Sequence, residues 1–208
     1  MELSQIKGVI FDLDGTLVDS KLDFDQLRLD LRFPANTPIL EHLETLQCPQ
    51  QIARAQQHIY QHEMAGAKAA QAIAGVAELL QTLEQLALPV AILTRNMRDA
   101  SFYVLNKFAL NIPLVLTRED CKAKPDPEGI HIIAKQWGLA HDELLYVGDY
   151  WFDIEVARNA KVWSCLYDPD LNKHYRDQAD WVYQSVFELT DAFRHAHNLQ
   201  LKQTTPCS

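Results

Sequence analysis

The stretch Val9-Ile10-Phe11-Asp12-Leu13-Asp14-Gly15-Thr16-Leu17-Val18-Asp19 decides how this chain is read. An apolar, β-prone run delivers two aspartates in a D-x-D arrangement, and Gly15 lets the chain turn out of the strand. Side chains two residues apart share a face of the pleat, so Asp12 and Asp14 point the same way at the strand's C-terminal edge. Carboxylates held that close repel, and they call for a cation, a shared proton or both. Mg²⁺, a hard ion that takes oxygen ligands and bridges to phosphate, meets that demand. The pair also suits covalent chemistry, with one carboxylate as nucleophile and the other as general acid/base.

Further β-prone runs cover Pro89 to Thr94, Pro113 to Leu116, Leu144 to Gly148 and Val162 to Tyr167, with the first strand spanning Ile6 to Asp12. Helical periodicity separates the later ones, over Val76 to Leu83, Met97 to Phe108, Glu128 to Trp137 and Phe152 to Asn159. Alternating strands and helices predict an α/β fold with a doubly wound parallel sheet, which binds ligands beyond the carboxyl ends of its strands. The long gap between Asp12 and Pro89 breaks the rhythm. It reads as helices over Leu22 to Leu31, Thr37 to Leu46 and Gln50 to Ala74, punctuated by Pro34, Pro38 and Pro49. Residues 20–74 are therefore expected to form a small helical insert hinged at Asp19-Ser20 and Ala74-Gly75, with residues 1–19 and 75–200 as the core. A last helix is expected from Val186 to about Leu199, and residues 201–208 as a frayed tail.

The 208 residues, 48% hydrophobic and 23% charged, suit one sizeable domain with a modest insert. A net charge of -9 argues against general binding to nucleic acid or an anionic membrane. Cys48, Cys121, Cys165 and Cys207 show no metal-binding spacing, as expected of a reduced cytoplasmic protein. Neither a basic leader nor an apolar run of ~20 residues is present, so no membrane span is expected. A monomer is the default expectation.

Three more polar clusters lie at strand ends. Thr94-Arg95-Asn96 places a hydroxyl and backbone amides where the next helix begins, a setting that favours an anion and that also suits a plain helix cap. Cys121-Lys122-Ala123-Lys124-Pro125-Asp126-Pro127 is a proline-stiffened loop from which Lys124 could reach the sheet edge, with Lys122 as its competitor. Gly148-Asp149-Tyr150-Trp151-Phe152-Asp153 repeats the logic of the first strand, with two acids four residues apart that can face one site.

Taken in order, D-L-D-G-T-L, L-T-R-N, K-P-D-P and G-D-x-x-x-D resemble the motif set of the haloacid dehalogenase-like hydrolase superfamily. The helical insert resembles the C1 cap of its phosphoglycolate phosphatase-like branch. The resemblance implies a Rossmann-like core and a Mg²⁺-dependent phosphatase acting on a small phosphorylated metabolite. Asp12 would be the nucleophile that becomes an aspartyl phosphate, and Asp14 the acid/base. Asp12, the backbone carbonyl of Asp14 and Asp149 would hold the metal, supported by Asp153. Thr94, the Arg95 amide and Lys124 would bind the phosphoryl oxygens.

Asp14 disfavours the dehalogenating branch, which the resemblance implies lacks the second aspartate. A phosphomutase of the same fold and a non-catalytic binding protein remain alternatives. Tyr150 stands where the family usually carries Ser or Thr, and the bulky run through Phe152 is expected to pack against the sheet rather than narrow the site. Arg95 stands where many relatives have Asn, and it reads either as a surface residue or as a grip for an acidic substrate group. Lys21, Arg28, Arg32, His58 and His62 are the insert residues that could face a leaving group.

Overall fold

Three successive apolar residues, Val9, Ile10 and Phe11, are fully buried because the strand they form is covered on both faces. The computed structural model describes residues 2–203. In chain order its first half holds β1 (Gly8–Phe11), β2 (Val18–Asp19), α1 (Phe24–Leu31), α2 (Ile39–Glu44), α3 (Pro49–Ala69), β3 (Gln71–Ala72) and α4 (Val76–Gln85). There follow β4 (Val90–Leu93), α5 (Arg98–Lys107), β5 (Leu114–Leu116), α6 (Glu128–Trp137), β6 (Leu144–Gly148) and α7 (Trp151–Ala160). The chain closes with β7 (Trp163–Tyr167), β8 (Trp181–Tyr183) and α8 (Val186–Gln203).

The six-stranded sheet has the order β5-β4-β1-β6-β7-β8, and every pairing in it is parallel. Val9 and Phe11 face a core built with Leu79 and Leu83 of α4, Val104 of α5 and Phe193 of α8. Ile10 faces the other way, against Ile130 and Ile133 of α6 and Val156 of α7. Helices on both faces make the sheet doubly wound, and β1 lies at its middle beside β4 and β6. The carboxyl ends of these three neighbours lead into Asp12 and Asp14, Thr94 and Arg95, and Asp149, while Lys124 comes from the loop after β5.

Helices α1–α3 have an apolar cluster of their own, centred on Leu27, Ile39 and Ile59. In α3, Ala55, Ile59, Glu63, Gly66 and Ala67 form the buried stripe at helical spacing. Glu63 is thus a carboxylate on the inward face. Two features depart from the sequence expectation here. Helix α3 stops at Ala69, not Ala74, because Ala70 turns to φ -53°, ψ 146° and the chain then forms β3. The hinges are a two-stranded antiparallel ribbon in which Val18 pairs with Ala72 and Asp19 with Gln71.

The sequence expectation also omits β8, a three-residue edge strand whose register is supplied by β7 through Cys165, Leu166 and Tyr167. Helix α8 runs through Gln203, past the expected end near Leu199 and into the expected tail. The rest of that tail, residues 204–208, lies outside the described residues. Among the described residues no helix is long and apolar enough to cross a membrane.

Two glycines set the geometry of the sheet edge. Gly15 holds φ +83°, and a Cβ there would lie 2.5 Å from the Asp149 carboxylate. A Cβ on Gly148 would lie 2.2 Å from Cγ of Asp153. Gly148→Ala should therefore push Asp153 out of place and cost about 1–3 kcal/mol of stability, read from urea unfolding. A loss near zero would mean that Asp153 relocates without strain.

Candidate active site

Strand β1 ends one residue before Asp12, whose N–H donates to the Val147 carbonyl of β6 at 2.8 Å. That bond extends the parallel ladder past the strand end and holds the Asp12 side chain beyond the sheet edge. From the loop before α6, Lys124 reaches the same point with its side chain only 2% exposed. Its ammonium is 2.8 Å from Asp12 Oδ1 and 2.6 Å from Asp153 Oδ1, and it donates to Tyr146 Oη at 2.8 Å. Tyr146 Oη in turn donates to the Leu93 carbonyl at 2.8 Å. Lys122, the competing lysine, is a surface residue 3.6 Å from Asp126.

Asp153 lies in the first turn of α7, and its Oδ2 accepts the N–H groups of Asp149 at 3.0 Å and Tyr150 at 2.8 Å. The acid thus satisfies amide donors that a helix start leaves unpaired, and it presents its other oxygen to Lys124. Lys173 Nζ lies 3.3 Å from Asp149 Oδ2 and also donates to the Asp149 carbonyl. On the neighbouring strand end, Asn96 Nδ2 donates to Asp14 Oδ2 at 2.8 Å, while Asp14 Oδ1 is buried without a hydrogen-bond partner. Thr94 is not a helix cap. Its Oγ1 accepts the Asn96 N–H at 3.1 Å, and α5 begins only at Arg98; the hydroxyl proton is left for another acceptor.

Asp12, Asp149 and Asp153 each place a carboxylate oxygen within 4.8 Å of the others. The Asp14 carboxylate stands outside this trio, against Asn96. Burial, reinforced by Asp153 and Asp149 and opposed by Lys124, raises the Asp12 pKa to about 7. Burial and then the Asp153 charge raise Asp149 to about 6, against the pull of Lys173. Burial also raises Asp14, although hydrogen bonds from Ser20 and Asn96 oppose it. Lys124 moves upward, because the Asp12 and Asp153 charges together outweigh the burial that would lower it. The trio is therefore short of positive charge. Its donors are all hard oxygens, and the set fits a divalent cation such as Mg²⁺.

The Arg95 side chain is neither a solvated surface group nor a free cation, being 19% exposed and paired within the protein. Its Nη2 meets both oxygens of Glu41 on α2 at 2.8 Å, its Nη1 donates to the Lys124 carbonyl, and its guanidinium stacks 4.2 Å from the Phe152 ring centroid. Glu63 of α3 similarly accepts from the Met97 N–H at 3.1 Å and from Arg118 at 2.6 Å. Trp151 packs in a cluster with Ile154, Leu166 and Tyr175, as expected. Tyr150 does not, being 54% exposed, and both Tyr150 and Phe152 line the cavity over the site. This cavity, of about 910 Å³, is bounded by Asp12, Asp14, Thr94, Lys124, Asp149 and Asp153 below and by residues of α1–α3 above. Lys21 and Arg28 reach its wall; Arg32, His58 and His62 do not.

Sequence reasoning missed Glu41, Tyr146, Glu63 and Lys173. A tyrosine in an otherwise aliphatic buried strand was a signal for Tyr146, and a lone acid on the apolar stripe of α3 was one for Glu63. Glu41 and Lys173 sit in patterns indistinguishable from solvated surface.

The pKa shifts set the sign of a pH effect. Asp12 and Asp149 are raised on folding, so the metal-free protein gains stability from them below their unfolded values near 4 and loses it as pH rises through about 6 and 7. A divalent cation held by the trio would relieve the ionised cluster but would have to displace protons from the neutral one. The melting-temperature increase caused by saturating Mg²⁺ should thus grow between pH 5.5 and 8, as measured by thermal unfolding. An increase that shrinks over that range would place the ion elsewhere.

The family model for haloacid dehalogenase-like hydrolases matches residues 9–167, the span that carries every group above except Lys173 and Tyr175. A haloacid dehalogenase-like hydrolase domain-containing protein of Arabidopsis thaliana is 28% identical over 177 residues, which is 79% of this chain and 72% of the relative. An N-acetylmuramic acid 6-phosphate phosphatase of Pseudomonas aeruginosa is 23% identical over 182 residues, 77% of this chain and 80% of the relative. The crystal structure of a hydrolase from Pseudomonas syringae superposes with a TM-score of 0.75 at 26% identity, covering 91% of this chain and 98% of that one. With the motifs converged at one sheet edge and the model matching most of its length, the chain belongs to the haloacid dehalogenase-like hydrolase family, among its phosphatase-like members.

Proposed function

We propose that this chain is a Mg²⁺-dependent phosphatase that hydrolyses a small phosphorylated metabolite through an aspartyl-phosphate intermediate. The observation that carries the reading is the pairing of Asp12 with a buried ammonium while Asp14, two residues on, is held apart by Asn96. One carboxylate, on this reading, attacks and the other exchanges a proton. On this reading residues 20–74, with α1–α3, act as a cap over a core made by residues 1–19 and 75–200.

Asp12 Oδ attacks phosphorus, the P–O bond to the alcohol breaks, and protonated Asp14 gives its proton to the departing alkoxide. Water then attacks the phosphoryl group, Asp14 takes the proton back, and Asp12 is released with inorganic phosphate. The burial that raises Asp14 favours the protonated form that the first step needs. Lys124 offsets the negative charge on Asp12 and on the transferring group. Thr94, through its hydroxyl, and the Arg95 amide would bind phosphoryl oxygens. Asp12, the Asp14 carbonyl and Asp149, with Asp153 behind them, would hold Mg²⁺, which when bound neutralises charge on the phosphate and keeps Asp12 ionised.

Purified protein should release phosphate from a generic aryl phosphate with Mg²⁺ and stop when EDTA is added. Asp12→Asn should remove turnover, and Asp14→Asn should lower kcat by about 10²–10⁴-fold, the range for a positioned acid/base. Unchanged turnover in Asp12→Asn would overturn the nucleophile assignment. Sugar phosphate isomerisation without phosphate release would instead identify a mutase.

A further inference from the structure

The cavity outside the reacting centre is built for a particular kind of leaving group. Three cations reach its wall there, Lys21, Arg28 and Arg95. Arg95 Nη2 is shared between both carboxylate oxygens of Glu41. Arg28 is 2.7 Å from Asp25 and donates to the Thr37 carbonyl at 2.8 Å. Lys21 is exposed, and among the described residues no carboxylate lies within salt-bridge distance of its ammonium. Against these cations, Asp19, Asp23, Asp25 and Glu63 line the same space.

A second anionic group on a substrate would therefore meet guanidiniums already neutralised and a wall with no surplus of positive charge, above a centre that is itself crowded with carboxylates. Like-charge juxtaposition of this kind works against binding. Much of the rest of the wall is apolar, with Ser20 and Asn36 as polar exceptions. Phe24, at the start of α1, is 47% exposed and Tyr150 is 54% exposed, and both border the cavity together with Leu22, Pro38, Leu40 and Phe152. Its volume of about 910 Å³ is at the upper end of the ~300–1,000 Å³ of pockets that hold drug-sized ligands. A two-carbon acid would leave most of it unfilled.

We infer that the substrate is a phosphate monoester of an uncharged, ring-bearing alcohol, whose ring lies against the aromatic wall formed by Phe24, Tyr150 and Phe152. This rests on the phosphatase reading above and adds the chemical class of the leaving group. The Glu41–Arg95 pair acts as a charge filter, because it withholds from the substrate the one guanidinium placed beside the phosphoryl site.

The test is kcat/KM of the full chain with Mg²⁺ on two matched pairs: benzyl phosphate with 4-carboxybenzyl phosphate, and ethyl phosphate with 2-phosphoglycolate. Within each pair the carboxylate should cost at least about tenfold, and benzyl phosphate should exceed ethyl phosphate by at least about tenfold. Phe24→Ala and Tyr150→Ala should each narrow the benzyl-to-ethyl ratio. Glu41→Gln, by freeing Arg95, should raise 4-carboxybenzyl phosphate relative to benzyl phosphate.

A preference for either carboxylate ester, or equal use of benzyl and ethyl phosphate, overturns the inference and leaves the phosphatase reading standing. Release of phosphate from none of the four overturns both.

Discussion

One buried ammonium organises this protein. Lys124 is 2% exposed and uses its three donors on Asp12, Asp153 and Tyr146. Burying a charge is expensive unless it is paired and hydrogen-bonded, and each partner comes from a different part of the fold. Asp12 follows the central strand, Asp153 opens α7, and Tyr146 lies in β6. The ammonium therefore ties the end of β1, the middle of β6 and the start of α7 into one unit. Removing it would leave buried carboxylates uncompensated, an effect of about 3–5 kcal/mol for breaking a buried pair from one side.

Even with Lys124 in place the site remains overcharged with carboxylates, and burial raises Asp12 and Asp149 toward neutrality. The raised values describe a centre short of positive charge, which a divalent cation would supply. Close approach of the acids is possible because Gly15 and Gly148 lack the Cβ atoms that would collide with Asp149 and Asp153. Above this centre, Glu41–Arg95 and Glu63–Arg118 join α2 and α3 to the sheet-edge loops.

Much of this was legible in the sequence because it depends on local pattern. Apolar runs ending in aspartate mark strands that stop at a polar edge, and parallel sheets bring such edges together. Asp12, Asp14, Thr94, Lys124, Asp149 and Asp153 accordingly border one cavity. The ribbon β2–β3 and the edge strand β8 were not legible, since each owes its form to the partner strand it pairs with. The pairing of the Arg95 side chain was not legible for a related reason, because it depends on Glu41, 54 residues away in sequence.

The sequence by itself determined the alternation of strands and helices, the carboxylates and lysine at the sheet edge, and the family motif set. These follow from hydrophobic period and from residue types placed at fixed spacings, which do not require knowledge of distant contacts. Only the tertiary structure decided that Arg95 is neutralised by Glu41, and that Tyr150 faces the cavity while Trp151 packs with Ile154, Leu166 and Tyr175. Each of those outcomes is settled by which charge or apolar surface from a remote segment arrives alongside, and a local pattern carries no record of that.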